Sequence, residues 1–143
     1  MNAEATTALS SVAIAQPVAQ RWREELRAGR AALRAAFGAR ADTSRLLRGH
    51  ARLVDRALAG IWADLGAPAD AALVAVGGYG RGQLFPHSDV DVLILLPGAP
   101  DAIATAFVER LVGVLWDAGL DTGHSVRTIP QGVDDMAAEI TIT

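Results

Sequence analysis

The chain has 143 residues, enough for one domain with its own core, and its 51% hydrophobic and 20% charged residues exclude a disordered composition. The net charge is −3, no apolar stretch reaches the roughly 18 to 20 residues of a membrane span, and the absence of cysteine excludes disulfides and thiolate zinc sites. We therefore expect a soluble, cytoplasmic protein with no membrane partner.

The basic residues are concentrated near the N-terminus. Residues 20–56 carry ten arginines and four acidic residues, whereas residues 57–143 carry three arginines and eleven acidic residues. Such a segment can bind nucleic acid. However, all 13 basic residues are arginine, which indicates a compositional bias, and arginines along a helix usually form a solvated face. We expect no nucleic-acid partner.

The first half of the chain is predicted to be helical. Residues 1–17 lack the basic start of a signal peptide and are predicted to be a disordered leader. A helix over residues 18–37, ending at Gly38, follows from four apolar residues at helical spacing: Trp22, Leu26, Leu33 and Phe37. We assign residues 18–66 to an N-terminal helical segment.

A second helix is predicted from Thr43 or Ser44, both good N-caps, to Leu65, with Gly66 as its stop. His50 lies on the apolar face of this helix. A lone histidine in that position is more often a packed core residue than a ligand, so we assign it no functional role.

From residue 67 the pattern becomes that of an α/β domain. Apolar runs predict strands at residues 72–76 and 90–96, and a third strand is predicted at residues 120–129. Between the last two, Asp101 caps a helix that ends at Gly119 and whose predicted apolar face comprises Ile103, Phe107, Leu111, Leu115 and Trp116. We predict a small mixed sheet flanked by helices over residues 67–143, incomplete at its C-terminus.

The stretch VGGYGRGQLFPHSDVD, residues 76–91, joins the first two predicted strands. It is not a P-loop, because the chain has no lysine to reach the β- and γ-phosphates. It also does not fit a dinucleotide-binding fingerprint, because the last glycine of GxGxxG would fall on Gln83 and the aspartates follow too soon.

Asp89 and Asp91 are two residues apart on a predicted strand, so both side chains project from the same face. Two carboxylates without lysine or cysteine nearby form a hard-oxygen site suited to Mg²⁺, which commonly combines carboxylates with substrate phosphates. Gly77 and Gly78 lack side chains that would block a triphosphate, and their N–H groups can bind its oxygens. The sequence therefore predicts a site for a metal-bound triphosphate.

Two polar residues of the same stretch are further candidates for the phosphate site. Ser88 precedes the first aspartate and either caps the turn or binds a phosphate, and Arg81 can add positive charge to the phosphate site. A short polar residue before a strand also occurs without any catalytic role.

The order of strand, Gly-Gly, ten residues and Asp-x-Asp resembles the signature of the polymerase-β-type nucleotidyltransferase superfamily. The string GGYGRGQLFPHSDVDVLIL is similar to one branch of it, the bacterial PII uridylyltransferase/uridylyl-removing enzymes. The segments at residues 115–120 and 123–128, LWDAGL and GHSVRT, resemble the same branch, and the likeness covers residues 20–143.

This resemblance implies transfer of UMP from UTP to a tyrosine of the PII nitrogen-regulatory protein, with Mg²⁺ as cofactor. By position, Asp89 and Asp91 match the family's catalytic, metal-binding aspartates, and Gly77 and Gly78 match its phosphate-binding glycines. Members of the family continue with a hydrolase domain that removes UMP and with domains that sense glutamine. The resemblance implies that the chain is an N-terminal part of such an enzyme.

The chain departs from the family pattern at two places. Gln83 stands where glutamate is usual, and Glu139 where aspartate is usual. The superfamily generally uses a third carboxylate, for which Asp121 and Glu139 are the candidates, and His124 either lines the site or packs structurally. The alternative function is a nucleotidyltransferase-like domain of a signalling protein with another activity or none.

Overall fold

The computed structural model describes residues 3–40, 42–77 and 90–128. These residues form three helices and three strands. In chain order the elements are α1 (Ala3–Arg40), α2 (Thr43–Asp64), β1 (Ala72–Ala75), β2 (Val90–Leu96), α3 (Ala102–Asp117) and β3 (Thr122–Thr128). The helical segment thus precedes a small α/β unit, as predicted.

The first helix is longer than the sequence pattern predicts. It begins at Ala3, inside the segment expected to be a disordered leader, and Pro17 lies within it. Gly38 does not end the helix, which continues to Arg40. Alanine, the best helix former, is frequent at both ends, and its propensity accounts for the extension on either side of the apolar pattern.

The helix ends follow local hydrogen-bonding rules. The N-cap of α2 is Asp42, whose side chain accepts a hydrogen bond from the Arg45 N–H, so the prediction of Thr43 or Ser44 as cap is wrong by one or two residues. Asp101 caps α3 as predicted and accepts from the Ala104 N–H at 2.7 Å.

Glycines in the left-handed region end both α2 and α3. Gly66 has φ 69° and Gly119 has φ 92°. At the end of α3, the Gly119 N–H donates to the Trp116 carbonyl and the Leu120 N–H to the Leu115 carbonyl, the paired bonds of a Schellman motif. The predicted stops at these two glycines are therefore confirmed.

The sheet has the order β1-β2-β3, with β2 in the middle. β1 pairs with β2 in antiparallel orientation and β3 pairs with β2 in parallel, so the sheet is mixed. A parallel pair needs a crossover connection, and α3 supplies it. The three strands match the sequence prediction to within two residues at each end.

One hydrophobic core joins the sheet to all three helices. Alternate residues of β2 are buried in it, beginning with Val90. His50 is also buried there, as predicted, and its Nε2 accepts a 3.4 Å hydrogen bond from Arg30 Nε. The fully buried large side chains include Leu26, Val54, Ile61, Val90, Val92, Ile94, Leu111, Leu115 and Leu120.

The predicted apolar face of α3 is only partly correct. Phe107, Leu111 and Leu115 are buried, whereas Ile103 is 78% exposed and Trp116 is 53% exposed. Ile103 lies in the first turn, where the next residue, Ala104, packs against the core instead. Trp116 directly follows a buried residue, and one step along a helix rotates a side chain by about 100°, out of the buried stripe.

Glycines let α1 and α2 pack closely. A Cβ atom on Gly60 would lie 1.9 Å from the indole ring of Trp22, and a Cβ on Gly29 would lie 2.4 Å from the side chain of Leu53. The Trp22 Nε1–H donates to Asp64 Oδ2 at 2.9 Å, so the ring is held at both its apolar and its polar side.

Candidate functional site

Asp91 is the predicted catalytic residue whose surroundings the structure describes most fully. It is the second residue of β2, and its side chain is exposed, on the face opposite to that of the buried Val90 and Val92. Its carbonyl accepts the Val76 N–H at 3.0 Å, which continues the β1–β2 pairing, and Gly123 is its partner in β3. The backbone of Asp91 is therefore fixed from both sides.

The carboxylate of Asp91 lies between two glycines. A Cβ atom on Gly77 would be 3.0 Å from Oδ2, and a Cβ on Gly123 would be 2.6 Å from Oδ1. Contacts shorter than 3.0 Å essentially never occur for real Cβ atoms. Oδ1 thus occupies space that a Cβ atom at position 123 would fill, and Oδ2 lies in tight contact with the space that a Cβ atom at position 77 would occupy.

This carboxylate is not neutralised by another part of the chain that the structure describes. Ion pairs in that part join Arg21 to Asp64 and Arg27 to Glu24, and neither includes Asp91. An exposed carboxylate has the hard oxygens that Mg²⁺ prefers, and the flanking glycines accommodate those oxygens. The chemistry of the Asp91 carboxylate therefore fits a divalent cation.

Several predicted site residues lie outside the described residues. These are Gly78, Arg81, Ser88, Asp89 and Glu139. Their assignments stay predictions. Over residues 3–40, 42–77 and 90–128, no three acidic or histidine side chains come together in a group that could hold a metal ion.

Gly77 has φ 64°, a conformation that glycine adopts without strain and that other residues rarely adopt. It follows β1 directly and sits beside the Asp91 carboxylate. The structure thus brings together Gly77 of the predicted glycine pair and Asp91 of the predicted aspartate pair.

Asp121 and His124 have different surroundings. Asp121 is exposed, and its carbonyl accepts the Val90 N–H at 2.9 Å. Burial lowers the pKa of Arg30, and the negative charge of Asp121 acts on the same group in the opposite direction. His124 is exposed and pairs with Val92, so the sheet alternation places it on the face opposite to that of Asp91.

A family of known proteins matches the part of the chain that contains this site. The family model described as "Nucleotidyltransferase domain" matches residues 56–131, more than half of the chain. The chain belongs to the nucleotidyltransferase domain family. The matched region includes β1, β2, α3, β3 and the end of α2.

Curated relatives carry the name "Bifunctional uridylyltransferase/uridylyl-removing enzyme". The protein of that name from Cupriavidus metallidurans is 53% identical over 86% of this chain, and the one from Burkholderia vietnamiensis is 44% identical over 94%. A third, from Chromobacterium violaceum, is 47% identical over 86%. The matches cover 14–16% of the length of these relatives. No solved structure matches the chain.

No helix in the described part of the chain is both long enough and apolar enough to cross a membrane.

Sequence reasoning missed Gly123. The residue belongs to the GHSVRT segment, and its position opposite Asp91 depends on the register of β3 against β2. One signal was available: a glycine inside a predicted strand often marks a place where another group approaches closely.

Proposed function

We propose that this chain is the nucleotidyltransferase part of a bifunctional uridylyltransferase/uridylyl-removing enzyme, and that it transfers UMP from UTP to a tyrosine of the PII nitrogen-regulatory protein. The names of the relatives support the transferred group. The observation that carries the proposal is the exposed carboxylate of Asp91, seated between two glycines in a nucleotidyltransferase domain. We propose a cytoplasmic location for this reaction.

In this proposal Asp89 and Asp91 hold Mg²⁺. When bound, the ion supplies positive charge that stabilises the phosphate oxygens and the leaving pyrophosphate. Gly77 and Gly78 bind the triphosphate through their N–H groups, because no side chain of theirs excludes it. Ser88 and Arg81 add contacts to the phosphates.

The transfer exchanges a phosphoanhydride bond of UTP for a phosphate ester bond to tyrosine. The phenol oxygen of the tyrosine forms a bond to the α-phosphorus of UTP, and the bond from that phosphorus to the oxygen bridging to the β-phosphate breaks. Pyrophosphate leaves with the electron pair, and the phenol proton passes to solvent. The chain's contribution is to orient UTP so that the attacking oxygen and the leaving oxygen lie in line.

Asp91→Asn tests the proposal. The amide keeps the shape of the side chain and removes its charge, so transfer of radiolabelled UMP to purified PII protein should fall by at least about 100-fold. The assay uses the longer protein of which we propose that this chain is a part. Unchanged transfer by Asp91→Asn would contradict the proposed role of the carboxylate.

A matched control is Asp70→Asn. Asp70 is also an exposed aspartate, and it precedes β1. It lies near Leu96, the last residue of β2, and therefore at the other end of the sheet from Asp91. Transfer by this variant should equal that of the unmodified protein. The assay is repeated with radiolabelled ATP, CTP and GTP. Transfer of a nucleotide from one of these in place of UTP, or no transfer from any of the four, would favour the alternative of a signalling domain with another activity or none.

A further inference from the structure

Gly123 is closer to the Asp91 carboxylate than any other residue type would permit. It lies opposite Asp91 in the parallel pair of β2 and β3. A Cβ atom at this position would be 2.6 Å from Oδ1 and 3.8 Å from Cγ of Asp91. The space beside the carboxylate therefore exists because position 123 has no side chain.

The backbone does not require glycine here. The glycines with positive φ in the described part of the chain are Gly66, Gly77 and Gly119, and Gly123 is not among them. It lies inside a strand, where glycine packs nothing and weakens the structure relative to other residues. Neither local conformation nor strand stability accounts for a glycine at this position.

The second flanking glycine differs in this respect. Gly77 has φ 64°, so any substitution there strains the backbone whatever happens to Asp91. A substitution at Gly123 affects the Asp91 carboxylate without this backbone strain. Gly123 is therefore the position at which the effect of crowding the carboxylate can be measured by itself.

We propose that Gly123 is a positioning residue, which leaves room for Oδ1 so that the Asp91 carboxylate keeps the orientation in which it binds a divalent cation; the proposal rests on the nucleotidyltransferase function proposed above. An added methyl group at position 123 meets the end of a two-torsion side chain, not backbone. The carboxylate turns away, and the strand pairing stays intact. A loss of cation binding without a loss of folding follows.

The first experiment measures Mn²⁺ binding to purified protein by electron paramagnetic resonance, with Mn²⁺ alone as the probe. Gly123→Ala should raise the dissociation constant by about 10- to 100-fold, the usual effect of losing a group that orients a metal ligand. The control is Gly98→Ala, since a Cβ on Gly98 would meet nothing within 4 Å. Its dissociation constant should equal that of the unmodified protein.

Asp91→Asn in the same assay separates the two proposals. If Asp91→Asn weakens Mn²⁺ binding and Gly123→Ala does not, the inference about Gly123 is overturned and the proposed function stands. If Asp91→Asn itself binds Mn²⁺ like the unmodified protein, the metal-binding role of Asp91 fails, and the role of Gly123 fails with it.

A second experiment tests the proposal even if Gly123→Ala lowers the free energy of unfolding. Urea unfolding is measured for Gly123→Ala, Asp91→Ala and the double variant, as a double-mutant cycle. Removal of the Asp91 carboxylate removes the group that the new methyl meets, so any stability lost in Gly123→Ala should be recovered in the Asp91→Ala background. An equal loss in both backgrounds would mean that Gly123 serves the strand alone, and would overturn the proposal.

Discussion

Glycine has the same geometric effect in two regions of this molecule, with different consequences. Between α1 and α2, the space above Gly60 is occupied by the buried ring of Trp22. At the start of β2 and β3, the space beside Gly123 is occupied by the exposed carboxylate of Asp91. In the first region the missing side chain admits a piece of the hydrophobic core, and in the second it admits a charged group that faces solvent.

The two regions differ in how freely the group beside the glycine can move. A ring enclosed on all sides cannot move when a neighbour grows, because protein interiors are close-packed. A carboxylate at the surface has open directions into which it can turn. We therefore expect substitutions at the helical glycines to be measured as lost stability, and substitutions beside Asp91 to be measured as lost cation binding.

The largest effect in this comparison is expected for Gly60→Ala. The added methyl would lie 1.9 Å from the Trp22 ring, which is 7% exposed and also bonded to Asp64, so the two helices must move apart. We expect the free energy of unfolding to fall by about 1–3 kcal/mol, the usual cost of overpacking a core. Urea denaturation measures it, and unchanged stability would show that the helix contact is looser than described.

A matched control is Gly113→Ala in α3, an exposed position at which a Cβ would meet nothing within 4 Å. Alanine stabilises a helix interior relative to glycine by about 0.5–1 kcal/mol. The free energy of unfolding of Gly113→Ala should therefore rise by that amount. The opposite signs of the two Gly→Ala changes would separate packing from helix propensity.

A smaller change in the free energy of unfolding than that of Gly60→Ala is expected at the N-caps of α2 and α3. Asp101→Ala removes the acceptor of the 2.7 Å bond from the Ala104 N–H, and Asp42→Ala removes that of the 3.2 Å bond from the Arg45 N–H. We expect Asp101→Ala to lower the free energy of unfolding by about 1 kcal/mol and Asp42→Ala to lower it by less. The reverse order in urea denaturation would contradict the ranking by distance.

The smallest effect is expected at the exposed face of α1. The hydrogen bond from Arg27, and then its charge, lower the pKa of Glu24 below 4.5. Such a carboxyl group adds stability above its unfolded pKa, and this stability is lost as the pH falls through the folded pKa. Water screens the fully exposed pair, so Glu24→Gln should change the melting temperature at about pH 7 only slightly, and not at all at low pH. A large drop at neutral pH would show that the exposed face of α1 is as important as its buried face.

The strands and the ends of α2 and α3 could be read from the sequence because local signals determine them. Gly66 and Gly119 supply left-handed conformations, and the continuous apolar run of β2 is bounded by polar residues and Pro97. The start of α1 was not predicted, because alanine carries helix propensity but leaves no apolar stripe to read. The cap of α2 was missed by one or two residues, since three residues in a row, Asp42, Thr43 and Ser44, are all good caps.

The candidate site could be predicted only in part. The residues Gly77 and Asp91 carry local signals, a glycine after a strand and a carboxylate at the head of the next strand. Gly123 comes to Asp91 through the pairing of β2 with β3, which no pattern within either strand specifies. The close approach of Trp22 to Gly60 likewise depends on how two helices face each other.

The turn from α3 into β3 has a consequence for how this domain can change in length. Residues 118–121 join the helix end to the strand, and both ends of the turn are held, by the Leu120 N–H to Leu115 and by the Val90 N–H to Asp121. Deletion of one residue here would bring His124 beside Asp91, and insertion of one would bring Thr122, because a shift by one residue exchanges the faces of a strand. An insertion or deletion of one residue in this turn would therefore change the residue beside Asp91, and the number of residues in the turn is itself a requirement of the site.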